Sequence, residues 1–423
     1  MPRLGSLLQA RMSRPHRVPA PLSRPRVQEL HDAQTDAGKL GSAAGTGAAV
    51  GRGCVFMART ENHRRSQAPL FERFGPVSRP AAVEVSPRGV RERARRAIAL
   101  ADELLDCARR RGLALPVDPA AVYTRLLRNA RLLGYWEHLL AQERPEVVVT
   151  SVATAPSARA MLLAARAAGI PSVFISHTAV VSVDLLNTLP VDRAGLRGVE
   201  EVRHLGALGA DPDRLDVVGN PTISPQPVPR IDPRARPVFA AGLEDESRLG
   251  PLVDVIHRAL GERVAVGRHP SAGQTQPGEF PGGWSVASGR TYDLLAAGPP
   301  ALVQHSSGVA LEALHLGIPV VELRYPGKAS LYPFLRAPYV RFATDSRELA
   351  CAIQAAGEDA ANAERRQEWI AWARGWSWPT GREAEERVVA LVEQAMAEGP
   401  RGAIWEPWAT PAGTPSRPPA AAG

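Results

Sequence analysis

The sequence predicts an α/β protein of two doubly wound domains, each a mainly parallel sheet with helices on both faces. Three observations predict it. Short apolar runs bounded by Gly and Pro alternate with amphipathic stretches along the chain. The alternation breaks once, between Asn220 and Pro237, a stretch holding six prolines, and then restarts. The 423 residues are enough for two such units, each with its own core.

Residues 1–45 are rich in Pro, Arg, Ser, Ala and Gly without structural period, and are expected to be a disordered tail. The first domain, residues 46–219, opens on the apolar run Ala48–Met57, read as one buried strand, followed by a loop over Ala58–Ser66. Amphipathic helices are expected over Val90–Arg111 and Ala120–Gln142. A β-α-β unit follows: strand Pro145–Thr150, helix Pro156–Ala168, strand Ser172–Ser176. Its strands are continuously apolar, as in a parallel sheet covered on both sides. A helix near Val199–Leu208 and a strand at Leu215–Gly219 complete the domain.

Residues 220–237 are expected to be a Pro-rich hinge. The second domain, residues 238–375, begins with strand Pro237–Ala241, helix Leu249–Leu260 and strand Val264–Arg268. Helix Tyr292–Ala297, strand Pro300–Gln304, helix Gly308–Leu316 and strand Pro319–Leu323 follow. Residues 376–400 hold a last helix, Arg382–Glu398, expected to pack back across the domains, and 401–423 form a second disordered tail. In such folds ligands bind at the carboxyl edges of the strands, so the cleft between the domains is the expected site.

Composition removes several function classes. The net charge of +8 is carried by Arg, with Lys only at positions 39 and 328, and about half of the excess lies in the first 45 residues. A nucleic-acid partner is therefore not expected, while contact with an anionic membrane surface or an acidic acceptor stays open. Cys54, Cys107 and Cys351 have neither disulfide-framework nor zinc-site spacing. No apolar run reaches ~18 residues, and the N-terminus has no apolar signal core. Cytoplasmic residence is expected, with peripheral contact at the inner face of the membrane left open.

The most informative segment runs from Gln304-His-Ser-Ser-Gly308 through Glu312 to Pro319. A buried strand ends, and small hydroxyl residues and a Gly open a helix. Backbone N–H groups and the helix dipole point out of that end, which suits an anion. Ser306 or Ser307 would cap the helix or bind a phosphate, and Gly308 lets a phosphate approach closely. Glu312, one turn in, can accept hydrogen bonds from ribose hydroxyls. A plain serine cap with a surface glutamate is the competing reading.

This string resembles the donor-site loop of GT-B glycosyltransferases and their relatives, which read strand, H-S-S/T-x-x-x-x-E-A-L-x-x-G-x-P-V-V. Leu208–Pro221 resembles the family's L-G-x-x-x-x-R-I-x-V-T-G-N-P lead into the hinge. Gly169–His177 resembles its G-I-P-x-V-x-x-x-H-G strand, with Thr178 in place of the last Gly. Val266-Gly-Arg-His269-Pro270 is similar to the K-x-H-P element of capsule, CDP-glycerol and sialic-acid transferases. The resemblance runs in order from about Ala48 to Gly399. It implies a GT-B arrangement of two Rossmann-like domains facing across a cleft, with a nucleotide-activated donor as substrate and no cofactor. It also implies that the serine loop binds donor phosphate, that Glu312 binds ribose and that His269 contacts donor phosphate.

Two departures shape the reading. Retaining members often carry Glu-x7-Glu, and here the first position is Gln304. UDP-GlcNAc 2-epimerases, which share the fold, carry Gly-Thr-Arg-Pro-Glu after the first strand and two Glu in the donor helix. Here Ala58-Arg-Thr-Glu-Asn-His63 and a single Glu312 stand instead. Arg193-Ala-Gly-Leu-Arg197 mimics an epimerase string, but it falls late in the chain and is read as coincidental.

Four histidines are candidates. In inverting members a histidine after the first strand can act as general base, which makes His63 one candidate and a solvated loop residue beside Arg64 and Arg65 its alternative. His177 ends a strand at the carboxyl edge and is the second candidate base, or a structural hydrogen-bond partner. His269 could offset the charge of a leaving phosphate. His305 lies beside the serine loop and either joins the donor site or faces away. Lys328 reads as an exposed loop residue, and Trp372, Trp376 and Trp378 as packing around the last helix. Asp211-Pro-Asp213 reads as a capped turn, so no metal ligand is expected. No phosphate-binding P-loop and no dinucleotide-binding glycine motif follows a strand.

The expectation is a metal-independent GT-B glycosyltransferase that moves a sugar from a nucleotide donor to a glycan, lipid or small-molecule acceptor, in surface polysaccharide or glycoconjugate synthesis. The alternatives are a UDP-GlcNAc 2-epimerase-like enzyme, a CDP-glycerol-type phosphotransferase, or a catalytically silent nucleotide-sugar-binding protein. Oligomeric state is not legible in the sequence.

Overall fold

A computed structural model describes residues 48–401, except 52, 59–60, 76–86, 114–117, 153–154, 179–190, 224–225, 242–245, 269–279, 282, 288–289, 306, 325–331 and 338. The segments expected to be tails, 1–45 and all but the first residue of 401–423, lie outside these residues, as do His269, Ser306 and Lys328.

The described residues form twelve strands and eleven α-helices in two Rossmann-like α/β domains. The first carries β1 (Ala48–Gly51), β2 (Cys54–Met57), α1 (Glu61–Arg73), α2 (Pro87–Arg110), α3 (Pro119–Glu143) and β3 (Val147–Thr150). It continues with α4 (Pro156–Ala167), β4 (Ser172–Ile175), β5 (Arg193–Leu196), α5 (Val199–Ala207) and β6 (Leu215–Val217). The second carries β7 (Val238–Ala241), α6 (Glu246–Leu260), β8 (Ala265–Arg268), β9 (Ser285–Val286), α7 (Thr291–Ala296), β10 (Leu302–Gln304) and α8 (Val309–His315). Then come β11 (Val320–Leu323), β12 (Arg341–Ala343), α9 (Ser346–Ala360), α10 (Ala363–Trp376) and α11 (Gly381–Glu398).

The first sheet keeps the order β1 to β6 and is parallel from β2 onward. One face packs on α3 and α4 through Trp136, Leu139 and Met161, with Leu205 of α5 joining them. The other face is covered by α1 through Leu70 and by α11 through Val388, Leu391 and Val392. The second sheet is parallel throughout, in the order β12-β11-β10-β7-β8-β9, so its winding reverses between β7 and β10. Its two faces bury Leu295, Leu311 and Trp369 on one side, and Leu252, Ile256 and Leu349 on the other.

Local sequence explains the helix starts. Asp118 accepts from the Ala120 N–H at 2.8 Å, with Pro119 in the first turn of α3. Asn362 caps α10 by accepting from Glu364 and Arg365. Asp211 accepts from the Asp213 N–H at 3.1 Å, the capped turn expected of Asp-Pro-Asp. Among the described residues no helix is long and apolar enough to cross a membrane.

Two expectations are corrected, and one strand is added. Ala48–Met57 is a hairpin, not one strand: Gly53 sits at φ +68° and β1 pairs antiparallel with β2. The loop expected over Ala58–Ser66 becomes helix from Glu61. Its inward face is polar where it starts, so hydropathy gave no period. Arg193–Leu196 is strand β5, an element that the hydropathy pattern does not predict. Arg193 is buried there because Asp216 at 2.9 Å and Glu398 at 3.1 Å neutralise it. Gly195 lets α11 approach, since a β-carbon there would stand 2.9 Å from Leu391 Cδ2.

The domains are joined along a close seam. A β-carbon at Gly198 would overlap the backbone of Gly375, Trp376 and Ser377, and one at Gly219 would overlap Pro379. The Trp378 N–H donates to Arg197 O at 2.8 Å and the Asn220 N–H to Pro379 O at 2.8 Å. The segment expected to be a hinge is held against the second domain. Ile223 lies in that domain's core, Arg366 donates to Pro229 O at 2.6 Å, and the Asp232 N–H donates to Gly298 O at 2.9 Å.

Candidate functional site

On the side of the first domain, α1 rises over the carboxyl ends of β2 and β3. Ser66 Oγ donates to His63 O at 2.8 Å and shares a 2.9 Å hydrogen bond with Ser151 Oγ. Gln67 Nε2 donates to Met57 O at 3.1 Å and to Ser151 Oγ at 3.0 Å. His63, Ser66, Gln67 and Leu70 thus share the inward face of one helix. His63 is 8% exposed. It is a packed residue of the helix's first turn, not the solvated loop residue that was its alternative.

His177 follows β4, where the Ser176 N–H donates to Gly195 O at 2.9 Å and the Ser176 hydroxyl bonds the Thr178 carbonyl. The two candidate bases meet. Nε2 of His63 lies 3.3 Å from Nε2 of His177, with ring centroids 4.1 Å apart and ring planes at 88°. Only one proton fits between two imidazole nitrogens. One Nε2 therefore donates and the other accepts, which fixes the two rings in opposite tautomers at this contact.

On the side of the second domain, β10 ends at Gln304 and α8 begins after Gly308. The amides at this start are not all bare, as the motif had suggested. The Ser307 N–H donates to Gln304 Oε1 at 2.6 Å, and the Val309 N–H reaches Ser307 Oγ at 3.4 Å. Gln304 therefore spans the helix start from the strand below. His305 turns toward the neighbouring strand, its Nδ1 2.8 Å from Leu323 O. A carbonyl only accepts, so Nδ1 carries the proton there.

Gly308 has ordinary right-handed helical backbone at φ −63°. What requires glycine is closeness: a β-carbon would stand 3.0 Å from Thr178 Oγ1 and 3.8 Å from the Tyr332 hydroxyl. The start of α8 thus lies close against the residue next to His177.

Glu312 lies one turn into α8. Burial pushes its carboxyl above the usual carboxylate range; Arg197, Arg290 and Arg65 pull it down, and Asp293 adds to the rise. Arg65 belongs to α1 and Arg197 follows β5, so the field at Glu312 comes from both domains. Arg197 is the site residue that sequence reasoning passed over. It is 4% exposed, and burial lowers its pKa against the pull of Glu312, Glu201 and Tyr332. Its string was visible, but its position at a carboxyl edge was not, because β5 is short and begins with a charged residue. His315, one turn beyond Glu312, is pushed down to about 4 by burial and by Arg197, with Arg374 adding and a Ser377 backbone hydrogen bond opposing.

The structure thus brings together His63, His177, Ser307, Gly308, Glu312 and Arg197. His305 is directed at Leu323 O, while His269 and Ser306 are outside the described residues. Among the described residues no three His, Cys, Asp or Glu side chains gather as a metal site.

No protein-family model matches the chain, and no curated protein matches it. Solved structures do. One is a protein assigned as a UDP-N-acetylglucosamine 2-epimerase from Listeria monocytogenes, at TM-score 0.46 and 15% identity over 67% of this chain and 82% of that one. The glycosyltransferase of kitacinnamycin matches at TM-score 0.44 and 17% identity over 66% and 85%. The UDP-GlcNAc 2-epimerase from Neisseria meningitidis, solved with UDP-GlcNAc, matches at TM-score 0.42 and 14% identity over 64% and 82%. These likenesses concern the fold alone.

Proposed function

We propose that this chain is a metal-independent transferase of the GT-B type, moving a sugar from a nucleotide-activated donor to an acceptor hydroxyl. The observation that carries the reading is the approach of Gly308 to Thr178. It brings the start of α8, from the second domain, close to the residue that follows His177 of the histidine pair in the first. The second domain holds the donor: Ser307 and Gly308 border its phosphates, and Glu312 accepts from the ribose hydroxyls. The first domain holds the acceptor. The His63–His177 pair takes the hydroxyl proton as the oxygen attacks the anomeric carbon and the nucleotide leaves. A hydrogen-bonded histidine pair suits that role, because the second ring can stabilise the charge gained by the first.

Donor binding tests this directly. Calorimetry against UDP-, GDP-, CDP- and CMP-linked sugars should find one that binds, and Glu312→Ala should weaken it about tenfold or more. Unchanged binding in that variant would remove Glu312 from the donor site. Substitution of His63 or His177 by Ala should lower kcat by about a hundredfold or more with little change in donor affinity. Turnover of UDP-GlcNAc without any acceptor would instead identify the epimerase.

A further inference from the structure

We infer that Arg197 is a phosphate-binding residue supplied from the first domain, so that the donor's phosphates are gripped from both walls of the crevice. This rests on the donor reading above and adds a residue that the donor-loop motif does not contain.

Two other guanidinium groups that the fold draws inward find acceptors. Arg193, four residues earlier at the start of β5, meets carboxylates at 2.9 Å and 3.1 Å. Arg366 donates to the carbonyls of Pro229, Gly317 and Leu316. Arg197 is 4% exposed, yet its Nε has no hydrogen-bond partner, and its side chain makes no ion pair among the described residues. A buried donor without an acceptor costs about 1–3 kcal/mol, and more when charged. Such a cost persists where a ligand supplies the acceptor.

The backbone of Arg197 is hydrogen-bonded on both sides, while its Nε is not. Its N–H donates to Glu201 Oε2 at 2.6 Å, and its carbonyl accepts from the Trp378 N–H at 2.8 Å. The first bond is local to the turn into α5 and the second crosses the seam, so the backbone is anchored at the carboxyl end of β5. From there its charge is felt at Glu312 and His315 on α8. Arg197 and Glu312 sense each other without touching. A phosphate has the charge and the spread of oxygens to fill that gap, accepting from the guanidinium in a planar fork. The nearby carboxylates do not already use Arg197 in this way: Glu201 is engaged with its main-chain N–H, and among the described residues no ion pair joins Arg197 to Glu312.

The test compares wild type with Arg197→Met, using inorganic pyrophosphate, UDP and uridine as calorimetric probes. Arg197→Met should weaken pyrophosphate and UDP about tenfold or more and leave uridine unchanged, which a general packing defect would not do. A thermal melt checks the fold. If Arg197→Met melts early, Arg197→Lys carries the comparison, because it keeps the charge and loses the fork, and about fivefold weaker pyrophosphate binding is expected. Wild-type affinity for pyrophosphate in the variant that melts normally overturns the assignment and leaves the donor reading standing. Pyrophosphate binding that needs Arg197 but is not displaced by UDP, GDP, CDP or CMP upholds Arg197 and removes the donor reading. Absence of pyrophosphate and nucleotide binding in wild type overturns both.

Discussion

The two sheets solve the same covering problem in different ways. The second sheet reverses its winding between β7 and β10, so its own crossovers place helices on both faces. The first sheet never reverses. Its crossovers α4 and α5 stack on the face that α3 covers, and the opposite face depends on α1 and on α11 from the far end of the chain. One domain is complete in itself, and the other is completed from outside. The seam at Gly198, Gly219 and Asn220 is where the chain crosses to do so. The same crossing fixes Arg197, so the covering helix and the candidate site are mechanically linked.

The sharpest way to break this comparison is to remove α11. A chain ending at Thr380 should lose amide protection across β3 to β5 while β7, β10 and β11 stay protected, as read by hydrogen exchange. Equal loss in both sheets would mean that the domains unfold as one unit. A gentler version is Leu391→Ala, which should destabilise the first domain by about 3 kcal/mol. The equivalent deletion in the second core, Ile256→Ala, should leave β3 to β5 untouched.

The seam itself has a pH signature. His315 is held at about 4 against 6.5 for a free imidazole. The unfolded chain therefore binds this proton more readily than the folded one between those values. The resulting stability is fully present above about pH 6.5 and is lost as the pH falls toward 4, by about 3 kcal/mol in total. His315→Gln should flatten that part of the denaturation profile, and a profile unchanged by the substitution would place the acid sensitivity elsewhere. The smallest effect concerns Glu312. Its raised carboxyl means that ionisation costs the folded state, so Glu312→Gln should raise the melting temperature at pH 7 on the order of 2 °C while donor affinity falls.

Much of this was legible in the sequence, and the exceptions share a cause. The strands at Val147, Ser172, Val238, Leu302 and Val320 are apolar, short and bounded by turns, and they lie where the hydropathy pattern sets them. The donor-loop string preceded a real strand-to-helix step at Gln304 and Gly308. What escaped was built from polar residues turned inward. The start of α1 buries His63, Ser66 and Gln67, so an apolar period cannot reveal it. Strand β5 begins with a buried arginine whose two carboxylate partners come from β6 and from α11, the latter about 200 residues away. The meeting of His63 with His177 likewise joins an element after β2 to one after β4, a distance in sequence that no local pattern reports.

The borrowed face also orders events during synthesis. When β6 has left the ribosome, the apolar side of the first sheet around Val147, Val149, Val173 and Ile175 still waits for residues 381–398 to be translated. At typical elongation rates of about 5–20 residues per second, that interval lasts roughly ten seconds or more, with a naked sheet face available to chaperones or to a neighbouring nascent chain. The second domain, by contrast, can close its core while its last helix is still emerging. A protein wired in this way acquires its histidine-bearing wall last in final form, and a ribosome that stalls before α11 releases a chain with half a crevice.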